Sequence, residues 1–237
     1  MTTLLLVRHG RTTANRTGVL AGRTPGVDLD ETGITQARAA AERLAGLPLT
    51  QVVTSPLRRC RHTTQLLVQH RTDAVEVLTE NRLTECGYGE WTGRSLKDLA
   101  KEKLWSTVQQ TPSAVRFPGG EAMTEMSARA VAAVRERDHA LAASAGDHVA
   151  WVAVSHGDVI KAVLADALGM HLDAFQRIVV DPASVSVIRF TAGRPFVVSM
   201  NTTAGDLAHL AAPKPVKGRR RTPSGDAAVG GGMGSAE

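Results

Sequence analysis

Two apolar runs in this chain end the same way, and that pairing limits the fold more than any other feature. Leu4-Leu5-Leu6-Val7 runs into Arg8-His9-Gly10. His148-Val149-Ala150-Trp151-Val152-Ala153-Val154 runs into Ser155-His156-Gly157. Short apolar runs without polar alternation are what strands buried on both faces require. In open α/β sheets the carboxyl ends of strands are where ligands bind. Parallel neighbours ending in this way would bring both histidines to one sheet edge. Each glycine allows a sharp turn and a close ligand approach. A helix following His156 would aim free backbone N–H groups at the same place, and Arg8 adds a cation there.

The rest of the chain supplies layers for such a sheet. Thr17 to Gly26 reads as loop. Asp30-Glu31-Thr32-Gly33 leads into a helix with Ile34, Ala37, Ala41 and Leu44 at helical spacing, stopped by Gly46 and Pro48. Gln51–Thr54 is a strand. Ser55-Pro56 suits an N-cap and first turn, so a helix is expected from Leu57 to about His70. Ala74–Leu78 is a third strand, and Asn81 to Gly93 is loop. Ser95 caps an expected helix over Leu96–Trp105, and Thr111 to Gly120 is loop. A long helix from Glu121 to about Ala143 carries Met123, Met126, Ala130, Val134 and Leu141 on one stripe. A helix follows from Asp158 to Leu168, then a hairpin of strands Ser184–Phe190 and Pro195–Met200. This order implies an α/β fold: a three-layer α/β/α sandwich, its mostly parallel sheet carrying an antiparallel edge. Residues 1–211 form one domain, with a small cap between Asn81 and Gly120. Residues 212–237 read as a disordered basic tail rich in Pro, Gly and Ala.

Composition narrows the classes of function. Of the +5 net charge, five cations and two acids between Pro213 and Glu237 account for most, leaving the body near +2. That gives no case for a nucleic-acid-binding face, and aromatics are 3% of the 237 residues, too few for base-stacking platforms. No run approaches the roughly 20 apolar residues of a membrane span. No basic segment precedes an apolar one at the amino terminus, so no signal peptide is expected. Two cysteines, Cys60 and Cys86, make no disulfide framework. They read as space-fillers in a cytoplasmic protein.

Further segments fall in an order that resembles one family. Arg8-His9-Gly10-Arg11-Thr12-Thr13-Ala14-Asn15 is similar to the Arg-His-Gly-x-Thr-x-x-Asn signature of the histidine phosphatase superfamily, which includes the cofactor-dependent phosphoglycerate mutases. Ser55-Pro56-Leu57-Arg58-Arg59-Cys60-Arg61-His62-Thr63 resembles its Ser-x-Leu-x-Arg-Ala-x-x-Thr segment. Leu83-Thr84-Glu85, with the trailing Gly89-Glu90-Trp91-Thr92-Gly93, resembles its acidic loop. Ser155-His156-Gly157 resembles the second histidine motif. The likeness spans roughly Leu4 to Asn201. Departures are Arg11 for a common Glu, Cys60 for Ala and Asp158 for Gly; they bear on substrate rather than on chemistry.

The resemblance implies a phosphoglycerate mutase-like fold and phosphomonoester chemistry. His9 is the expected nucleophile, forming a phosphohistidine, with its other ring nitrogen bonded to a backbone carbonyl. Arg8 and Arg59 would neutralise the phosphoryl oxygens, and His156 would complete the pocket. Glu85 is chosen over Glu90 as proton donor and then base, which requires it to be protonated part of the time. Asn15, Gly22 and Gly157 are carried over as substrate contacts, although Asn15 also reads as a turn residue. Glu121 reads as a helix N-terminal acid. No metal or cofactor is expected. The expected partner is a small phosphorylated substrate, drawn by a mouth that Arg11, Arg16, Arg23, Arg58 and Arg61 could make positive. The family forms dimers in many cases, and a homodimer stays open here. Hydrolysis is the main expectation because the cap is short. The alternatives are a phosphomutase and a non-catalytic phospholigand-binding module.

Overall fold

The computed structural model describes residues 1–145 and 149–203; His148 and the expected tail lie outside them. The elements in order are β1 (Thr2–Arg8), α1 (Thr13–Thr17), α2 (Glu31–Leu44), β2 (Gln51–Thr54), α3 (Arg58–Val68), β3 (Glu76–Thr79), α4 (Leu96–Leu99), α5 (Lys103–Gln110), α6 (Met123–Ala145), β4 (Val149–Ser155), α7 (Gly157–Ala167), β5 (Val185–Phe190) and β6 (Pro195–Thr202). They build one six-stranded sheet in the order β3-β2-β4-β1-β5-β6. β1, β2, β3 and β4 are parallel, and β5 and β6 form the antiparallel edge. The three-layer α/β/α sandwich expected from the sequence is therefore what forms.

The central strands show why an unbroken apolar run was needed. Side chains alternate across a strand, so each strand faces two cores. Leu4 and Leu6 of β1 join Trp151 and Ala153 of β4 in a core covered by α6 and α7. Leu5 and Val7 join Val152 and Val154 in a second core, covered by Ala40 and Leu44 of α2 and Cys60 and Leu67 of α3. The segment between Asn81 and Gly120 is no separate lobe. Leu83, Tyr88, Trp91, Leu99, Val108 and Phe117 are buried in the first of these cores.

Register places the strand ends. Arg8 lies opposite Ser155 in the parallel β1–β4 pair. The ladder continues one step further, with the His9 N–H donating to the Ser155 carbonyl at 3.0 Å. The Ser55 N–H donates to the Val154 carbonyl at 3.0 Å, so the ends of β1, β2 and β4 meet. Beyond β1, Ala183 adopts a left-handed backbone (φ 56°), which brings its N–H to the Arg8 and His9 carbonyls at 3.1 and 3.2 Å.

Three local expectations are corrected. Ser55 does not cap α3: Leu57 occupies the N-cap position in extended conformation, and Ser55 stands two residues ahead of it. The expected helix over Leu96–Trp105 breaks after Leu99 and resumes at Lys103. Leu99 and Val108 are both fully buried. Nine residues apart, they would face about 180° away from each other on a continuous helix, and the break lets both reach the core. Third, a one-turn helix, α1, begins inside the Arg8–Asn15 segment and runs into the expected loop at Thr17.

The turn after β1 lies directly on the start of α2. A Cβ on Gly10 would sit 2.4 Å from the Gly33 carbonyl oxygen, and one on Gly33 would sit 2.0 Å from the Arg11 carbonyl oxygen. Both clashes are with backbone, which has no rotamer to yield. Gly33→Ala is expected to cost about 1–3 kcal/mol. Gly46→Ala, where nothing lies within 4 Å, should stay within about 0.5 kcal/mol of wild type. Urea unfolding of the two variants checks the contrast; equal stabilities would contradict the packing.

Candidate active site

The sheet edge gathers five side chains from four segments. His9 and Arg8 come from the end of β1, Arg59 from the first turn of α3, His156 from the N-cap of α7, and Glu85 from the loop between β3 and α4. All five are 3% exposed or less. They are the residues that the sequence singled out for catalysis. Glu90, the alternative to Glu85, is exposed, as are Arg58 and Arg61 beside Arg59 on the same motif.

His9 is held by both ring nitrogens. Its Nδ1 lies 2.8 Å from the Gly10 carbonyl, which can only accept, so Nδ1 carries the hydrogen. Its Nε2 therefore holds a lone pair, and accepts from Arg59 Nε at 3.2 Å. Burial, then the charges of Arg59 and Arg8, hold the His9 pKa well below 6.5 despite the Gly10 bond. The ring is thus neutral at pH 7, with its nucleophilic nitrogen turned toward a buried cation.

Arg59 ties the site together. Its Nη2 donates to the Gly22 carbonyl at 2.7 Å and lies 3.2 Å from His156 Nδ1. Its Nη1 is buried without a hydrogen-bond partner. A buried guanidinium donor left over in this way suits an anion. Gly22 can present its carbonyl because its backbone is left-handed (φ 50°), and a Cβ there would meet Thr92 Oγ1 at 2.9 Å. So Gly22 acts as a support for Arg59. Thr63 links the same parts, accepting from the Gly10 N–H at 3.1 Å and donating to the Arg59 carbonyl at 2.8 Å. Arg8 donates from Nη1 to the Val180 carbonyl at 2.7 Å and is fully buried.

His156 packs edge-on to His9, with ring centroids 5.3 Å apart. Its Nε2 lies 2.8 Å from Ser55 Oγ. Burial, Arg59 and His9 hold its pKa well below 6.5. Glu85 Oε2 is 3.9 Å from His156 Nδ1, and Glu85 Oε1 accepts from the Cys86 N–H at 2.9 Å. Burial and the negative charge of Asp158 push the Glu85 pKa up to about 7, against the pull of Arg59, the Cys86 N–H and Arg8. The partly protonated carboxyl that acid–base work requires is therefore present.

Other sequence candidates find different surroundings. Asn15 Oδ1 accepts from the Thr12 N–H and Oγ1 at 3.0 and 2.9 Å, the turn bonding that was its alternative reading. Gly157 is buried and opens α7. The positive mouth is largely compensated: Arg11 pairs with Asp30, Arg58 with Asp28 and Arg23 with Glu121. Glu121 is no isolated helix-start acid. It bridges Arg23 and Arg129, both of which also donate to the Glu85 carbonyl, at 2.8 and 3.1 Å. Cys60 and Cys86 are buried, and burial pushes the Cys60 thiol up to about 12, so it stays protonated. Ser55, Arg129, Tyr88 and Asp158 belong to the site or its support and escaped the sequence reading of roles. Ser55 and Asp158 sit inside the motifs, but their partners lie 101 and 70 residues away. Among the described residues no group of three or more His, Cys, Asp or Glu could hold a metal ion, and no helix is long and apolar enough to cross a membrane.

These buried groups make stability depend on pH. Between about pH 6.5 and 5 the unfolded chain binds protons on His9 and His156 that the folded chain refuses. The folded chain binds one on Glu85 that the unfolded chain lacks. The unfolded state holds the surplus proton, so stability falls as pH falls, by about 1.4 kcal/mol per unit from these groups. Glu85→Gln removes the offsetting proton and should make that fall about twice as steep. Urea unfolding at pH 6.5, 5.75 and 5 measures both slopes; a shallower slope in the variant would contradict these protonation states.

Comparison with known proteins agrees with this geometry. The chain is 31% identical over 218 residues to the probable phosphoglycerate mutase GpmB of Yersinia pestis (strain Pestoides F), covering 90% of this chain and 97% of that one. The alpha-ribazole phosphatase of Shigella flexneri superposes with a TM-score of 0.71 at 27% identity, over 84% of this chain and 96% of that one. A mycobacterial glucosyl-3-phosphoglycerate phosphatase superposes with a TM-score of 0.74 at 27% identity, over 85% and 99%. A model of the histidine phosphatase superfamily (branch 1) matches residues 4–203. Two strand-end histidines, the buried arginines between them and a match across nearly all the described residues lead to one conclusion: this chain belongs to the histidine phosphatase superfamily.

Proposed function

We propose that this protein hydrolyses small phosphomonoesters through a phosphohistidine at His9, without a metal. The observation that carries the reading is the state of His9: neutral, with its Nδ1 hydrogen committed to Gly10, and with its Nε2 lone pair beside buried Arg59. A phosphomonoester resists nucleophiles because its oxygens are negative. Arg8 and Arg59 neutralise them and hold phosphorus in line with Nε2. As the Nε2–P bond forms, the P–O bond to the leaving group breaks, and Glu85 gives its proton to the departing oxygen. Water then attacks phosphorus, Glu85 takes a proton back, and the N–P bond breaks to release phosphate.

Ser55 gives His156 a part in this sequence. A hydroxyl can donate or accept, so Ser55 Oγ serves either tautomer of the ring. When a phosphoryl oxygen takes Arg59 Nη2 away from His156, the ring is free to present Nδ1–H to that oxygen. A neutral His156 can therefore stabilise the phosphoryl group without being charged beforehand.

The second reading, a phosphomutase, is favoured by the relatives named as probable phosphoglycerate mutases. Hydrolysis is preferred because the segment between Asn81 and Gly120 is short, with α4 and α5 only 4 and 8 residues long. Solved structures of similar fold are also named as phosphatases.

Turnover of p-nitrophenyl phosphate and 3-phosphoglycerate in the presence of EDTA separates the readings. Phosphate release is expected, unaffected by EDTA and absent in His9→Ala. Arg59→Ala should lower kcat/KM by about 10²–10³. Turnover surviving in His9→Ala would sink the mechanism. Isomerisation of the phosphoglycerate outpacing phosphate release would put the mutase reading first.

A further inference from the structure

Behind Glu85 lies a second buried polar cluster that the mechanism above does not use. Asp158, in the first turn of α7, is fully buried. Its Oδ2 accepts from the Tyr88 hydroxyl at 2.7 Å, and its Oδ1 is 3.9 Å from Lys161 Nζ. Lys161 is 3% exposed and donates to Gln176 Oε1 at 3.0 Å. Burying a carboxylate and an ammonium costs several kcal/mol per ion, and apolar residues of similar volume would often stabilise a core as well. The placement suggests what the cost secures. Tyr88 stands three residues after Glu85 on the same loop, and Asp158 stands two residues after His156 on the helix that the second histidine begins.

We propose that Asp158 and Tyr88 are a positioning pair, which locks the Glu85 loop to α7 and sets both the place and the protonation of Glu85. This deepens the phosphatase reading and rests on it. The loop is also held at the Glu85 carbonyl by Arg23 and Arg129 and at Gly87 by Glu121, and the Tyr88–Asp158 bond ties it to α7. The charged and titratable groups around Glu85 are Arg8 from β1, Arg23 from the loop before α2, Arg59 and Cys60 from α3, Glu121 just before α6 and Arg129 within it, His156 at the end of β4, Asp158 and Lys161 from α7, and Cys86 and Tyr88 on its own loop. Of the charges around it, the anion Asp158 raises the proton affinity of Glu85, whereas the cations Arg59 and Arg8 lower it. A neighbouring anion of this kind keeps a general acid supplied with its proton near neutral pH.

The test compares an alkyl phosphate, glycerol phosphate, with p-nitrophenyl phosphate. An alkoxide needs a proton to leave, and p-nitrophenolate needs little help. The kcat/KM profiles of wild type, Glu85→Gln, Asp158→Asn and Tyr88→Phe are measured from pH 5 to 9, with a carbon NMR titration of the Glu85 carboxyl and a thermal melt of each. For Asp158→Asn, the alkaline limb for glycerol phosphate and the Glu85 titration are expected to move down by about one pH unit. Near pH 8 its glycerol phosphate kcat/KM should fall about tenfold, with far less change for p-nitrophenyl phosphate. Tyr88→Phe keeps the Asp158 charge and should lower the alkyl-to-aryl ratio by about tenfold or more through loss of position.

A folded Asp158→Asn with an unmoved Glu85 titration and an unchanged alkyl-to-aryl ratio overturns the inference. If that variant does not fold, Tyr88→Phe decides: a reduced ratio supports the pair and an unchanged one overturns it. Wild-type turnover, with a Glu85→Gln loss confined to the alkyl ester and an unmoved Asp158→Asn, removes this inference alone. Absence of wild-type turnover removes the phosphatase reading and the inference with it.

Discussion

The pairing of β1 with β4 is the constraint on which the rest depends. Its register sets Arg8 beside Ser155, and His9 and His156 follow as the next residue on each strand. A slip of one residue would turn every side chain of β1 to the other face. Leu4 and Leu6 would then enter the core of Leu5 and Val7, and His9 would leave the site. The unbroken apolar run tolerates burial on both faces but does not specify which face each residue takes. In the folded chain β1 and β4 place Leu4, Leu6, Trp151 and Ala153 on the side of α6 and α7, and Leu5, Val7, Val152 and Val154 on the side of α2 and α3.

On that frame the site is an electrostatic balance held out of water. Two buried guanidinium groups would repel each other and destabilise the fold without nearby anions. Glu85, Asp158 and Asp181 supply them around Arg8. The balance also separates the protonation states that the chemistry needs. Burial and then the cations keep both imidazoles neutral, while burial and Asp158 keep Glu85 partly protonated. The lone pair and the proton that the proposed nucleophile and acid would need thus coexist near neutral pH.

The sequence revealed what was local, or fixed by a motif. β1, β4 and the stripe of α6 followed from apolar spacing, and the five central side chains followed from motif position. Arg59 could be told from Arg58 and Arg61 only by that position, since helical spacing alone left all three open. Partnerships across long separations were not legible. Ser55 looked like a helix cap because Ser-Pro commonly is one, yet its hydroxyl is bonded to His156, 101 residues on. The mouth arginines looked free because Asp28, Asp30 and Glu121 are not beside them in the motifs that were read. The break between α4 and α5 reflects competition between Leu99 and Val108 for one core, which no local propensity records.

In the proposed reaction Nε2 of His9, and no other atom, takes the phosphoryl group, because Gly10 holds the Nδ1 hydrogen. The direct measurement is the position of that bond. Wild-type protein is mixed with a phosphomonoester, quenched in alkali within milliseconds, and analysed by mass spectrometry and phosphorus NMR of the histidine-containing peptides. Phosphate is expected on Nε2 of the residue 9 imidazole. Phosphate on Nδ1, on His156, or on no histidine while turnover proceeds would contradict it.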